Sequence, residues 1–168
     1  MNPFYLIPHT PEPYFCDRKQ ETEDIIGYLD NGANVTLISP RRYGKTGLIY
    51  HIFDQLSARK NKPELFYLDI YATAGVDDFL AVFAESIARV LKKESLIKSF
   101  LKFLGRIRPV VRVDAISGEP KFSFTLDTDA DRRYSLKALL DYLENRPTKV
   151  IVAIDEFQQI REYEGMSM

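Results

Sequence analysis

The sequence predicts an α/β domain on a mostly parallel sheet, and three observations carry that prediction. Short runs of β-favouring apolar residues, "VTLIS", "ELFYLDIYA" and "KVIVAIDEF", read as buried strands. Stretches whose apolar residues recur at helical spacing separate each run from the next. Strands that alternate with helices pair in parallel through right-handed crossovers. The 168 residues suit one domain with a sizeable core, and no internal repeat or low-complexity tract divides them.

Residues 1–14 carry four prolines and no periodicity, so they read as an extended arm. A helix follows through "CDRKQETEDIIGYLDNG", with Asp17 as candidate N-cap, a stripe of Ile25, Ile26 and Leu29, and Asn31-Gly32 as its stop. "VTLIS", residues 35–39, is the first expected strand. A Gly-Lys-Thr turn leads into a second helix whose Leu48, Ile49, Ile52, Phe53 and Leu56 share a face, closed by "RKNKP". The strand "ELFYLDIYA" comes next, bounded by Pro63 and Gly75. "VDDFLAVFAESIARVLKK" is the clearest helix, with Phe79, Val82, Phe83, Ile87 and Val90 expected on its inner side, and "ESLIKSFLKFLG" continues helically. Residues 109–126 break the pattern: two alternating runs flank the turn signal "SGEP", which predicts a β-hairpin inserted in a helical crossover. "DADRRYSLKALLDYLENRP" is a helix with an acidic start, and "KVIVAIDEF" a buried strand ending in two carboxylates.

Composition excludes several classes. Apolar content of 45% and charged content of 28% describe an ordinary globular protein. A net charge of −1 gives no global field for nucleic acid or anionic membrane. No apolar run reaches the roughly 18 residues of a membrane span, and the N-terminus lacks the basic start and apolar block of a signal peptide. The single cysteine, Cys16, cannot close an internal disulfide and reads as a small hydrophobe. These features set a cytoplasmic protein as the expectation.

The chemistry concentrates at "SPRRYGKTG", Ser39 to Gly47. A strand, a tight loop and a helix N-terminus let successive backbone N–H groups wrap phosphates, with the helix directing its partial positive charge at them. Gly44 permits close backbone approach, Lys45 would reach the β- and γ-phosphates, and the Thr46 hydroxyl would ligate Mg²⁺. Ser39 stands where the usual pattern has glycine, and serine tolerates such a turn. With Pro40, the arginines Arg41 and Arg42 make the loop stiff and basic; they either add charge near the phosphates or are solvated. Tyr43 packs on nucleotide, on a partner or on its own helix. Downstream, Asp155 lies where a parallel strand delivers a carboxylate to the sheet edge at which α/β ligands bind. It would share the Mg²⁺ with Thr46, generally through water, and Glu156 is placed to act as general base on an attacking water.

"FCDRKQETEDIIGYL", "LISPRRYGKTGLIYHI" and "VIVAIDEFQQI" together resemble the archaeal-type ATPase family of P-loop proteins, close to the STAND and AAA+ ATPases. In that family a box "F-x-[DG]-R-x-x-E", here Phe15, Asp17, Arg18 and Glu21, precedes a loop commonly reading "GPRRxGKTSL". The resemblance spans essentially the whole chain and is strongest at the two Walker motifs. It implies a three-layer α/β/α P-loop fold of the additional-strand, catalytic-glutamate type, binding ATP with Mg²⁺ and hydrolysing it in the parent protein. Lys45 and Thr46 take the Walker A role, Asp155 and Glu156 the Walker B role, and Asp17 and Arg18 lie near the adenine. Ser39 replaces glycine, and Gly47 stands where serine is common. Family members continue past Walker B with a further strand between the two Walker strands, a helical lid and often a winged-helix domain. Residues 1–168 are therefore expected to be the N-terminal part of an ATPase domain, ending after "REYEGMSM" without the lid. The sheet edges left open invite another chain or a second copy.

Guanine is disfavoured, because the nearest match to Asn-Lys-x-Asp, "NKPE" at Asn61, comes too early and lacks the aspartate. A nucleotide kinase has less use for an Asp-Glu pair. A non-hydrolysing, nucleotide-dependent switch stays open, with Glu156 as the discriminating residue. So does nucleic-acid contact through "KKESLIKSFLKFLGRIR", where Lys92, Lys93, Lys98, Lys102, Arg106 and Arg108 interleave with Leu96, Ile97, Phe100 and Phe103; the alternative is a core-facing stripe with a solvated face. His51 and His9 have no second metal-ligating cluster beside them and read as packing or solvated.

Overall fold

The computed structural model describes residues 18–40, 42–91, 94–104, 110–115, 118, 120–124 and 126–163. The arm at 1–14, His9, Phe15, Cys16, Asp17, Arg41, Lys92, Lys93, Arg106 and Arg108 lie outside the described residues. The chain divides into two compact units, residues 1–63 and residues 64–168.

In the first unit, α1 (Lys19–Asp30) turns Thr22, Ile25 and Ile26 inward. It ends where expected: Asn31 donates its backbone N–H to the Gly27 carbonyl at 3.2 Å, and Gly32 follows at φ +75°. Glycine adopts that left-handed backbone at no steric cost, which makes it the usual helix stop. Helix α2 (Lys45–Ser57) buries Leu48, His51, Ile52 and Leu56, so His51 is a packed histidine held to Gln55 at 3.0 Å. Arg59 closes the unit with a fork on Asp30, 2.8 and 2.9 Å to the two carboxylate oxygens.

The strand expected at 35–39 does not form. Residues 33–40 have no ladder partner among the described residues, and Ile38 is 90% exposed. Exposure still alternates, with Val35, Leu37 and Ser39 half-buried and Thr36 and Ile38 out. β-Propensity is a fit to a pleated, half-buried surface, and it supplies no neighbour. Residues Phe157–Glu162, after the last strand, form a 3₁₀ helix.

The second unit holds the sheet. β1 (Glu64–Asp69) pairs in parallel with β2 (Val150–Asp155), with Glu64 opposite Val150 and Asp69 opposite Asp155. One face of this pair, Phe66, Leu68, Val150, Val152 and Ile154, joins the hydrophobic core. Side chains alternate across a strand, so Leu65, Tyr67, Asp69, Ile151, Ala153 and Asp155 occupy the other face. The described sheet thus has two parallel strands, fewer than the multi-stranded, three-layer arrangement expected.

Helices α3 (Val76–Leu91), α4 (Glu94–Phe103) and α5 (Asp129–Glu144) complete the core. On α3 the fully buried line is Leu80, Ala84 and Ile87, with Phe83, Ala88 and Leu91 beside it. Phe79, Val82 and Val90, expected on the inner side with Phe83 and Ile87, pack partly buried against the same core. The Thr128 hydroxyl caps α5, accepting the Asp131 N–H at 3.1 Å, and Ser135, Leu139 and Leu143 face inward.

Two short strands between α4 and α5, β3 (Val110–Val113) and β4 (Pro120–Ser123), pair antiparallel. Glu85 of α3 anchors β4, accepting the Phe122 N–H at 3.1 Å and facing Lys121 at 3.3 Å. Phe122 is buried and meets Phe100 of α4 edge-on, with ring centroids 6.4 Å apart. Val110, Val111 and Val113 of β3 are exposed. On α4, Phe100 and the following Leu104 are fully buried while Leu96, Lys98, Lys102 and Phe103 are exposed. That is the core-facing stripe with a solvated face.

Candidate functional site

The loop before α2 owes its shape to two left-handed residues. Arg42 has φ +67° and Gly44 φ +73°. Gly44 is the N-cap of α2, and its carbonyl accepts the Leu48 N–H at 2.9 Å to open the helix. A non-glycine residue in that conformation costs about 1–2 kcal/mol, which is why glycine belongs at this position.

Lys45, the first residue of the helix, turns its ammonium back on the loop. Its Nζ donates to the Ser39 carbonyl at 3.1 Å and to the Pro40 carbonyl at 3.3 Å. Ser39 therefore contributes through its main chain, and its hydroxyl reaches only the Pro40 carbonyl at 3.5 Å. Lys45, Thr46 and Gly47 are half-buried on the first turn of α2. Arg42 and Tyr43 are exposed, Tyr43 at 64%.

Arg18 joins the loop from the start of α1. Its Nη1 lies 3.4 Å from the Gly44 carbonyl, and its Nε pairs with Glu21 at 2.9 Å. Arg18, Glu21, Thr36, Leu37, Ile38, Ser39, Lys45 and Leu48 line a cleft of about 190 Å³. Ligand pockets commonly span roughly 300–1,000 Å³, so this cleft suits part of a nucleotide. Asp17 and Arg41 lie outside the described residues.

In the second unit Asp155 ends β2 and is buried. Both carboxylate oxygens are engaged: Oδ1 accepts the Glu156 backbone N–H at 2.9 Å and Oδ2 accepts the Tyr67 hydroxyl at 2.9 Å. Glu156 has φ +57°, a left-handed backbone uncommon for a residue with a side chain. Such strained residues cluster at functional sites. Its carboxylate accepts the Gln158 amide N–H, and its carbonyl accepts the Gln159 N–H at 2.9 Å. Gln159 donates onward to the Thr73 carbonyl at 3.2 Å, and the buried Thr73 hydroxyl meets the Tyr163 hydroxyl at 2.6 Å. The segment after Asp155 is thereby tied to the turn that follows β1.

Thr46 belongs to the first unit and Asp155 to the second. No group of three or more His, Cys, Asp or Glu side chains suited to a metal occurs among the described residues. The oxygens on offer, a threonine hydroxyl and a carboxylate, are hard donors of the kind that suit Mg²⁺, which keeps several of its own waters. A carboxylate oxygen can accept more than one bond, so the donors on Asp155 do not conflict with a hydrated Mg²⁺ at that carboxylate. Tyr67 and Gln158 are functional candidates that sequence reasoning missed. Tyr67 is recognisable only once the β1–β2 register is known, whereas Gln158, two residues from Glu156, was visible as a polar neighbour of the acid.

The sequence profile described as KAP family P-loop domain matches residues 43–166. Gly44, Lys45, Thr46, Asp155 and Glu156 all fall inside that span, while Arg18 and Ser39 precede it. No curated protein and no solved structure matches the chain.

Proposed function

This chain belongs to the KAP family of P-loop domains, and from that premise we propose that it binds ATP with Mg²⁺ and that the protein it belongs to hydrolyses the β–γ bond. The observation that carries the reading is the loop itself. Gly44 turns left-handed at the mouth of α2, and the Lys45 ammonium lies folded on the loop's own Ser39 and Pro40 carbonyls. A cation parked on neutral acceptors is readily drawn to phosphate oxygens, which offer the stronger charge-assisted bond.

In this reading the N-terminal amides of α2 and Lys45 hold the phosphates, and Arg18 and Ser39 border the bound nucleotide. Thr46 and Asp155 would hold Mg²⁺, which would supply neutralisation of the phosphate charge. Glu156 takes the proton of the attacking water once it leaves Gln158. The work is positioning and charge stabilisation, since phosphoryl transfer asks little else of a protein. The finer affinity with archaeal-type, STAND and AAA+ ATPases, the three-layer fold and the insertion of β3–β4 belong to the same proposal. So does pairing of open sheet edges with a second copy or a partner. No described helix is long and apolar enough to cross a membrane.

A second reading, a nucleotide-dependent switch without turnover, draws on the Gln158 bond, which holds the carboxylate that hydrolysis needs. Binding of a fluorescent ATP analogue to the wild-type chain and to Lys45→Ala tests nucleotide binding. Removing the ammonium should weaken binding by roughly tenfold or more, the scale of one lost hydrogen bond to a charged group. Equal affinity in the two proteins would overturn the reading. Turnover, with Glu156→Gln as control, then separates ATPase from switch.

A further inference from the structure

The Walker B carboxylate is held from two sides, and one of the two donors comes from a different strand. Tyr67 lies opposite Ala153 in the parallel pair, and Asp155 is two residues further along. All three share a face, so the tyrosine reaches its target on the diagonal, a distance that aromatic side chains span. The phenol then closes on Oδ2 at 2.9 Å while the Glu156 N–H closes on Oδ1 at 2.9 Å.

We propose that Tyr67 is a positioning residue: its hydroxyl fixes the orientation in which Asp155 presents its carboxylate to a nucleotide-bound Mg²⁺. The proposal rests on the nucleotide-binding reading above. Two donors, one on each oxygen, leave the carboxylate plane no freedom to rotate. A phenol is also neutral, so it orients the anion without cancelling its charge. A lysine or arginine at position 67 would satisfy the same oxygen and compete with the metal for it. Partners of this kind, one bond removed from a metal, typically govern affinity by roughly 10- to 100-fold.

The test varies Mg²⁺ at fixed fluorescent ATP analogue in four proteins: wild type, Tyr67→Phe, Asp155→Ala and the double variant. Tyr67→Phe keeps the ring and removes one oxygen, and a melting curve verifies that each variant is folded. The Mg²⁺ concentration for half-maximal enhancement of binding should rise about tenfold in Tyr67→Phe. In the Asp155→Ala background the same change should add nothing, because the group being positioned is gone. A merely structural role would move affinity with and without Mg²⁺ alike, and that result overturns the inference. So does a Mg²⁺ half-point in Tyr67→Phe equal to or below that of wild type, or an effect that persists without Asp155. Mg²⁺-independent binding by wild type removes this inference while leaving nucleotide binding in place. No binding by wild type removes both.

Discussion

The phosphate loop and the carboxylate edge are held by different means. Around Lys45 the structure is local: a left-handed glycine, one helix N-terminus and an ammonium bonded to carbonyls five and six residues away. Around Asp155 it is long-range, since the phenol on its carboxylate comes from 88 residues earlier in the chain. Local geometry needs only the right residues in order. Long-range geometry needs a paired strand to set the register, and β1–β2 provides one. The segment before the phosphate loop has the composition of a strand and no such partner among the described residues. Sequence alone does not separate the two cases.

Breaking the paired side should have the largest effect. Phe66 is 1% exposed in the core of the second unit, and a buried Phe→Ala change costs about 3–5 kcal/mol through lost transfer energy and the cavity left behind. Urea unfolding of Phe66→Ala, with hydrogen exchange of the β1 and β2 amides, should show that loss in both strands. A cost near that of a surface change would mean that the pair does not anchor the unit.

On the local side, Gly44→Ala isolates backbone conformation from packing. Among the described residues, a Cβ built there meets only the Arg18 guanidinium, at an ordinary 3.9 Å. The strain of an L-residue at φ +73°, about 1–2 kcal/mol, is then the whole effect. Nucleotide affinity should fall with it, while β1–β2 exchange stays as in wild type. Slower binding with no change in stability would show that the loop rearranges before it takes up phosphate.

The far end of the sheet offers a titration. Arg146 forks onto Glu64 with two bonds of 2.8 Å, and Thr148 adds a third at 3.0 Å. The Arg146 bond, offset in part by burial and aided by Thr148, holds the Glu64 carboxyl below its ordinary pKa. A lowered carboxyl pKa contributes stability that is present above the ordinary value and lost as pH falls through the folded value. Both side chains are about one-fifth exposed, so the pair is worth about 1 kcal/mol rather than the larger figure of a buried one. The difference in urea midpoint between wild type and Arg146→Gln should therefore be present at neutral pH and shrink as the solution is acidified past the carboxylate range. A gap that is constant with pH would assign Arg146 to packing on Tyr142, whose ring it overlies at 5.5 Å.

What the sequence made legible follows the same division. Helix periodicity, the Asn31-Gly32 stop, the acidic start of α5 and the Gly-Lys-Thr turn are statements about neighbours in the chain, and each appears in the structure. The alternating runs around "SGEP" form the β3–β4 pair, because a short connection brings such strands together. Val35–Ser39 went wrong since strand formation depends on a partner that composition does not reveal. On α3 the expected inner side is the observed one, with Phe79, Val82 and Val90 packed against the core and the small Ala84 and Ala88 buried beside Phe83 and Ile87. Tyr67 was invisible because its role exists only in the register with Asp155.

The smallest expected effect is the most direct check on that division. Ile38 carries the composition of a buried strand residue, and its 90% exposure says it is not one. Ile38→Ala should therefore change stability by no more than about 0.5 kcal/mol, the range of ordinary surface substitutions. Buried in a sheet, the same truncation would cost about 2–5 kcal/mol. A large cost would place residues 35–39 in a paired strand after all and make the phosphate loop as dependent on long-range pairing as Asp155. If adding Mg²⁺ and nucleotide raises the cost, pairing of this segment is coupled to the ligand: bound nucleotide favours whichever state holds it better, and Ile38 becomes buried in that state. A cost that stays small with and without nucleotide leaves the loop governed by Gly44 and the first turn of α2 alone.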